Sequence, residues 1–225
     1  MGPVRLDLHV HSRYSPDSSL SVDAIASRLA AVGLNGFALT DHNSVSGHSE
    51  LSALRPRFPD MVFVPGIEIS TLEGHLLAYG VAELPPVQRP VAETIEWVRD
   101  HGGVSALSHP FRRVHGVGRI VAEAARPNAV EVVNGHNSPA ANRKAAELAR
   151  RRGLGCTGGS DVHELSDLGR AYTEFATGPS SVEMVLDALR SGAMSAGGDS
   201  FGLAGRIRLE WRTGLSRIRR GFRPI

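Results

Sequence analysis

Cysteine is all but absent. Cys156 is the only one, which excludes an internal disulfide framework and a thiolate-based zinc site. No apolar stretch approaches the ~20 residues that a bilayer-crossing helix needs, and Met1-Gly2-Pro3 runs into a strand-like segment without the pattern of a signal peptide. A soluble, cytoplasmic protein with no membrane span is the expectation. Neither a Gly-x-Ser-x-Gly elbow nor a Gly-Lys-Ser/Thr phosphate loop occurs, so the corresponding serine-hydrolase and nucleotide-binding classes drop out. Lysine is reduced to Lys144 among 25 basic residues, a bias that reflects genome base composition more than a selected binding patch.

The charge that is present is uneven. Seven arginines and one acid, Glu210, crowd residues 201–225, so the rest of the chain is net acidic although the total is +2. With Ile207, Trp211, Ile218 and Phe222 interspersed, this tail invites a membrane-surface or nucleic-acid reading. Gly214 and Gly221 weaken such a helix, and packing of its apolar side on the main body is preferred. At 225 residues one α/β domain is expected over 1–200, with 201–225 as a basic appendage.

Strand-like runs alternate with helical patterns, the mark of repeated βα units on a parallel sheet. Strands are expected at 4–10, 36–40, 61–64 leading into 67–70, 75–81, 104–108, 129–133, 154–157 and 171–175. Helices are expected at 22–32, from Ser44 to Leu54, and at 91–101, 117–125, 139–152 and 181–191. Glu68 and His75 fall on what reads as an antiparallel pair. Seven or so units suffice to close a barrel.

Asp7-Leu8-His9-Val10-His11-Ser12 sends two imidazoles to one face of the first strand, and Asp161-Val162-His163 repeats the device near the far end. Asp41-His42, Glu68, His75 and His109 each stand at or near the end of an apolar run. Because α/β barrels build their sites at the carboxyl ends of strands, topology predicts that these side chains gather. They are too many for one ion, and a multinuclear metallohydrolase is the reading.

The ordered series DLHVHS, LTDHNS, PGIEIS, GHLLAYG, SHPF and GSDVH resembles the PHP (polymerase and histidinol phosphatase) superfamily over roughly residues 6 to 175. The resemblance implies a distorted (βα)7, TIM-like barrel with two or three divalent ions at its carboxyl-terminal rim. Carried over, His9, His11 and Asp161 hold one ion, Glu68 bridges to a second bound by His75 and His109, and Asp17, His42 and His163 hold a third. Nitrogen and oxygen ligation suits Mn²⁺, Fe²⁺ or Zn²⁺ alike. The implied activity is hydrolysis of a phosphate ester by metal-activated water, with Asp161 or His163 as proton carrier. The substrate class is a phosphorylated small molecule or short nucleic acid, such as a nucleoside bisphosphate or oligonucleotide end. Histidinol phosphate is the specific rival, and a non-catalytic, metal-bound module working through its basic tail is the rival of another class.

Around these ligands, Arg112 or Arg113 offers bidentate recognition of phosphate, with Arg170 in reserve. Asn134 and His136, at the end of the sixth strand, face the same rim as substrate contacts. Asp7 and Asp41 are expected to orient ligand imidazoles. Glu131 is in register with Val133 and points opposite to Val130 and Val132, and it is a candidate for the barrel interior. His48 and His101 read as structural, and His115 divides between solvent and substrate.

Overall fold

The computed structural model describes residues 2–162, 164–176 and 178–200; His163 and the arginine-rich segment 201–225 lie outside them. The strands are β1 (Val4–Val10), β2 (Gly36–Leu39), β3 (Val62–Ser70), β4 (His75–Tyr79), β5 (Val104–Leu107), β6 (Ala129–Asn134), β7 (Gly155–Gly159), β8 (Ala171–Phe175) and β9 (Met194–Gly198). The helices are α1 (Val22–Ala31), α2 (His48–Leu54), α3 (Val91–Asp100), α4 (Gly118–Ala124), α5 (Pro139–Arg152) and α6 (Val182–Ser191). One sheet carries all nine strands in the order β7-β6-β5-β4-β3-β2-β1-β8-β9. It rolls into a nearly closed, TIM-like barrel: the last residues of β1 meet the turn after β7 through the Val10–Val162 bridge and the Asp161 N–H to His9 carbonyl bond of 2.8 Å. Lower down the seam is wedged by β8. Antiparallel to Val4–Leu6, it hands its Thr173 hydroxyl to the Gly158 carbonyl at 3.0 Å.

The inner core joins Leu6, Leu8, Val64, Leu77, Tyr79, Val104, Ala106 and Ala129 from the strands to Val185, Leu186 and Leu189 of α6. That helix therefore stops the amino-terminal end of the barrel. Outside, Ile25, Leu29 and Leu51 of α1 and α2 pack on Val10, Phe37, Leu39 and Phe63. Local chemistry sets the helix limits: Ser21, Ser138 and Ser181 accept the backbone N–H three residues on, and Gly153 and Gly192 end α5 and α6 in the left-handed region.

Several elements differ from expectation. β3 runs unbroken through Pro65, because there β3 changes partner: residues up to Pro65 pair with β2 and those from Gly66 with β4, so a missing N–H costs no ladder bond. α2 begins at His48 instead of Ser44, since Asn43, left-handed at φ 48°, exchanges two 2.9 Å side-chain bonds with Ser70 and holds the chain away from a helix. β9 has no alternating apolar pattern and exists by pairing with β8. Among the described residues, no helix is long and apolar enough to cross a membrane.

Candidate metal centre

Two irregularities in the sheet aim the site. Along β1, Asp7 lies opposite Phe37 but Val10 opposite Leu39, so three steps on β1 match two on β2. Leu8 points into the inner core and Val10 into the outer one, a change of face that strict alternation forbids and a β-bulge supplies. His9 and His11 are thereby turned inward, while Asp7 stays behind on the other side. A second shift lies between Glu131 and Val133 of β6. It sends Val132 and Val133 outward together and lets Glu131 and Asn134 meet at 2.9 Å.

Glu68, on β3, is the hub. Its Oε2 lies 3.1 Å from His9 Nε2, 3.2 Å from His11 Nε2 and 3.3 Å from His42 Nδ1. Its Oε1 lies 3.0 Å from His75 Nδ1 and from His109 Nε2, and accepts the Ser108 hydroxyl at 2.8 Å. Asp161 Oδ1 approaches His9 and His11 at 3.5 and 3.3 Å, and Asp17 Oδ2 approaches His42 Nε2 at 3.2 Å. All of these side chains are buried except Asp17, which is half-buried. His109 and Asp161 hold left-handed backbone at φ 29° and 53°, an unfavourable region for such residues that the surrounding bonds must offset.

This donor set fits divalent cations. His9 Nε2 and His11 Nε2 stand 3.1 Å apart, a distance at which two ring nitrogens share either a proton or a cation. Among the described residues the buried Nδ1 atoms of His42 and His109 have no well-aligned hydrogen-bond partner, although Glu68 Oε2 lies 3.3 Å from the first. Among the described residues, atoms able to hold a metal ion fall into three overlapping groups: His9, His11, Glu68 and Asp161; His11, Asp17 and His42; His42, Glu68 and His75. Without cations the cluster balances itself. Burial raises the cost of charge on Glu68 and Asp161, yet the imidazoles, and Arg112 beside Asp161, hold both carboxyls well below the usual range. Burial, reinforced by Arg112, drives His109 down to about 3.

A further layer orients these groups. Glu131 Oε1 pairs with His9 Nδ1 at 2.8 Å, and its Oε2 accepts the His109 N–H at 2.8 Å. Arg112 pairs with Asp161 and donates to Asn134 Oδ1 at 2.7 Å and Asn137 Oδ1 at 3.0 Å. Asn134 also donates to Asp161 Oδ2 at 3.1 Å. Among the described residues neither Asp7 nor Asp41 makes a hydrogen bond to a candidate ligand imidazole: Asp7 binds Ser160 and the Gly169 N–H, and Asp41 takes the Ser12 N–H and hydroxyl at 2.6 and 2.7 Å. Both fasten the turns that carry ligands, and for Asp7 the β1 bulge is the reason.

Of the other candidates, Arg113 and Arg170 are exposed, and half-buried His136 gives its backbone N–H to Asn134 Oδ1 at 2.9 Å. His163 lies outside the described residues. His48 donates to the Gly66 carbonyl at 2.8 Å, and His101 stacks on Trp97. His115 stacks on His75, ring centroids 4.7 Å apart. Ser15, Ser108 and Asn137 join the network without a sequence signal, since Ser and Asn beside a ligand look like ordinary turn residues.

Profiles of known families match two segments: the PHP domain over residues 7–83 and a PHP-associated region over residues 139–194. An uncharacterized protein of Methanocaldococcus jannaschii is 31% identical over 118 residues, 48% of this chain and 68% of that protein. In structure the chain is similar to a Bacteroides vulgatus two-domain protein containing a predicted PHP-like metal-dependent phosphoesterase. The TM-score is 0.75 at 18% identity, over 92% of this chain and 68% of that one. An Endonuclease Q, bound to a 27-mer duplex with an abasic lesion at its active site, superposes with a TM-score of 0.69 at 16% identity, over 93% and 67%.

Proposed function

This chain belongs to the PHP family, and from that premise we propose that it is a hydrolase of phosphate esters, using two or three divalent cations held by His9, His11, Asp17, His42, Glu68, His75, His109, Asp161 and His163. The observation that carries the reading is the Glu68 hub, five imidazoles about one buried carboxylate, with a guanidinium at its edge. Cations there supply Lewis acidity and an acidified water. The chain's own residues do the rest. Glu131 holds the His9 ring so that its Nε2 faces the cluster. Arg112, only a quarter exposed, has Nε and Nη2 engaged by Asn137, Asn134 and Asp161, which hold the guanidinium in place while Nη1 turns to phosphoryl oxygens. Asp161 has both oxygens engaged, Oδ1 with imidazoles and Oδ2 with Arg112 and Asn134. It acts as an anchor in this reading, and His163 is the proton carrier when it is not itself committed to a cation.

A nucleotide, nucleoside bisphosphate or oligonucleotide end is the substrate we favour, and the duplex-bound Endonuclease Q of similar fold supports the polynucleotide side of it. The test is metal content per chain, followed by phosphate or nucleotide release from nucleoside bisphosphates, oligonucleotides and histidinol phosphate. Two or three equivalents of Mn, Fe or Zn and turnover abolished by His9→Ala support the proposal. Faster turnover of histidinol phosphate than of any nucleotide would replace the substrate. Absence of tightly held metal and of all turnover would sink the hydrolase and turn attention to the 201–225 segment.

A further inference from the structure

A second concavity lies at the opposite end of the barrel, below the strands that carry His109 and Asn134 at their upper ends. Its volume is about 220 Å³, and Arg99, Arg126, Arg190 and Asn128 line it over a Gly102-Gly103 floor. No carboxylate is among its lining residues. Two of the guanidinium groups are anchored to backbone: Arg190 Nη2 donates to the Gly102 carbonyl at 2.7 Å, and Arg126 Nη1 to the Ala124 carbonyl at 3.0 Å. Arg190 also pairs with Asp187 at 2.8 Å, and Arg99 reaches Asp100 at 3.4 Å. Arg126 has no carboxylate within ion-pair distance among the described residues. Asn128 gives its side-chain oxygen to the Ser105 N–H at 3.0 Å, so its two amide hydrogens remain for another acceptor.

Three guanidinium groups, of which Arg126 alone has no carboxylate partner among the described residues, with one amide donor and no lining acid, suit an oxyanion. Guanidinium matches a tetrahedral dianion bidentately, and the space exceeds that of a phosphoryl group alone while remaining a bounded hollow. We infer that this cavity binds the phosphoryl group of a small phosphorylated molecule, at a site separate from the metal-ligand cluster. The inference does not depend on the chain being a hydrolase. Because the guanidinium groups are exposed, binding weakens as salt rises.

The test is equilibrium dialysis of radiolabelled inorganic phosphate against metal-loaded protein, Arg126→Gln, Arg126→Gln/Arg190→Gln, and His9→Ala. Since Arg126 is exposed and bonded only to backbone carbonyls, its single variant keeps the fold, which thermal denaturation checks. Phosphate binding that persists in His9→Ala and weakens about tenfold or more in Arg126→Gln, as loss of a charged hydrogen bond requires, supports the second site. Phosphate binding lost in His9→Ala, or indifferent to both arginine variants, overturns it. So does a result in which the arginine variants lose an oligonucleotide while inorganic phosphate never binds outside the metal cluster.

Discussion

Glutamine at position 131 removes one acceptor and leaves the shape of the side chain intact. Glu131 is fully buried, with Oε1 at 2.8 Å from His9 Nδ1 and Oε2 serving the His109 N–H at 2.8 Å and the Asn134 amide at 2.9 Å. A carboxylate accepts on both oxygens, so once a cation displaces the Nε2 proton His9 would keep its other proton on Nδ1 and offer a bare Nε2 beside Glu68, His11 and Asp161. Glutamine has one oxygen, and the His109 backbone and Asn134 claim it. Its amide N–H then faces His9 Nδ1, and the ring answers by moving its proton to Nε2, where a cation would bind. Losing such an orienting partner lowers metal affinity about 10–100-fold, roughly 1.4–2.8 kcal/mol. The fold should lose less, about 1–2 kcal/mol for exchanging a charged hydrogen bond for a neutral one. Competition with a chromophoric chelator measures the first quantity, and urea denaturation of the metal-free proteins measures the second. Unchanged metal affinity in Glu131→Gln, or imidazole nitrogen resonances with Nδ1 of His9 unprotonated in the metal-loaded wild type, would refute the reasoning.

Three other outcomes are expected. Arg112→Met should lower kcat/KM for a phosphate ester about 100-fold with metal content unchanged; equal loss of metal would make Arg112 a support for Asp161 instead of a phosphate contact. In the metal-free protein burial opposes charge on His11, but Asp161 and Glu68 overcome it and push its pKa from 6.5 up to about 10. That proton stabilises the fold fully below pH 6.5, and the contribution is lost as pH rises towards 10, so the urea midpoint of chelated protein falls across this window. A cation taking His11 must expel the same proton, so metal affinity rises with pH, about tenfold per unit for each proton released; calorimetry in buffers of different ionisation enthalpy counts it, and a pH-independent affinity contradicts it. In Gly159→Ala the new Cβ would lie 2.3 Å from His9 Cβ and 2.6 Å from His9 N; forcing apart the β1–β7 seam should cost about 3 kcal/mol or more, and a denaturation midpoint equal to wild type would show that the seam yields.

The sequence makes the clustering of these side chains legible because strand alternation and strand ends are local. His9 and His11 share a face by period two, and Glu68 and His75 were expected on neighbouring antiparallel strands, which pair Ser70 with His75. The aim of Asp7 was not legible, since one extra residue in β1 opposite β2 changes which side it faces, and no residue type in DLHVHS announces a bulge. Val133 was expected to share a face with Glu131, and the β6 bulge turns it outward for the same reason. β9, with Gly197 and Gly198 in five residues, carries no periodic signal; its strand form comes from β8. Arg112 and Arg113 are equal in sequence, and only the structure puts the first against Asn134, Asn137 and Asp161 and leaves the second exposed.

His9 and His11 enter from the first strand and Asp161 from the turn after the seventh, so these candidate ligands face one another across the joint where the barrel closes. A cation gripped between them would be a rivet: withdrawing it loosens the closure, and opening the joint disassembles the grip. Such a centre cannot exist in a nascent chain until the seventh strand has arrived, however early its first two histidines emerge. It follows that retention of bound metal should report on barrel closure itself, and that ligand substitutions should surface first as lowered yield of closed protein and only then as slower chemistry.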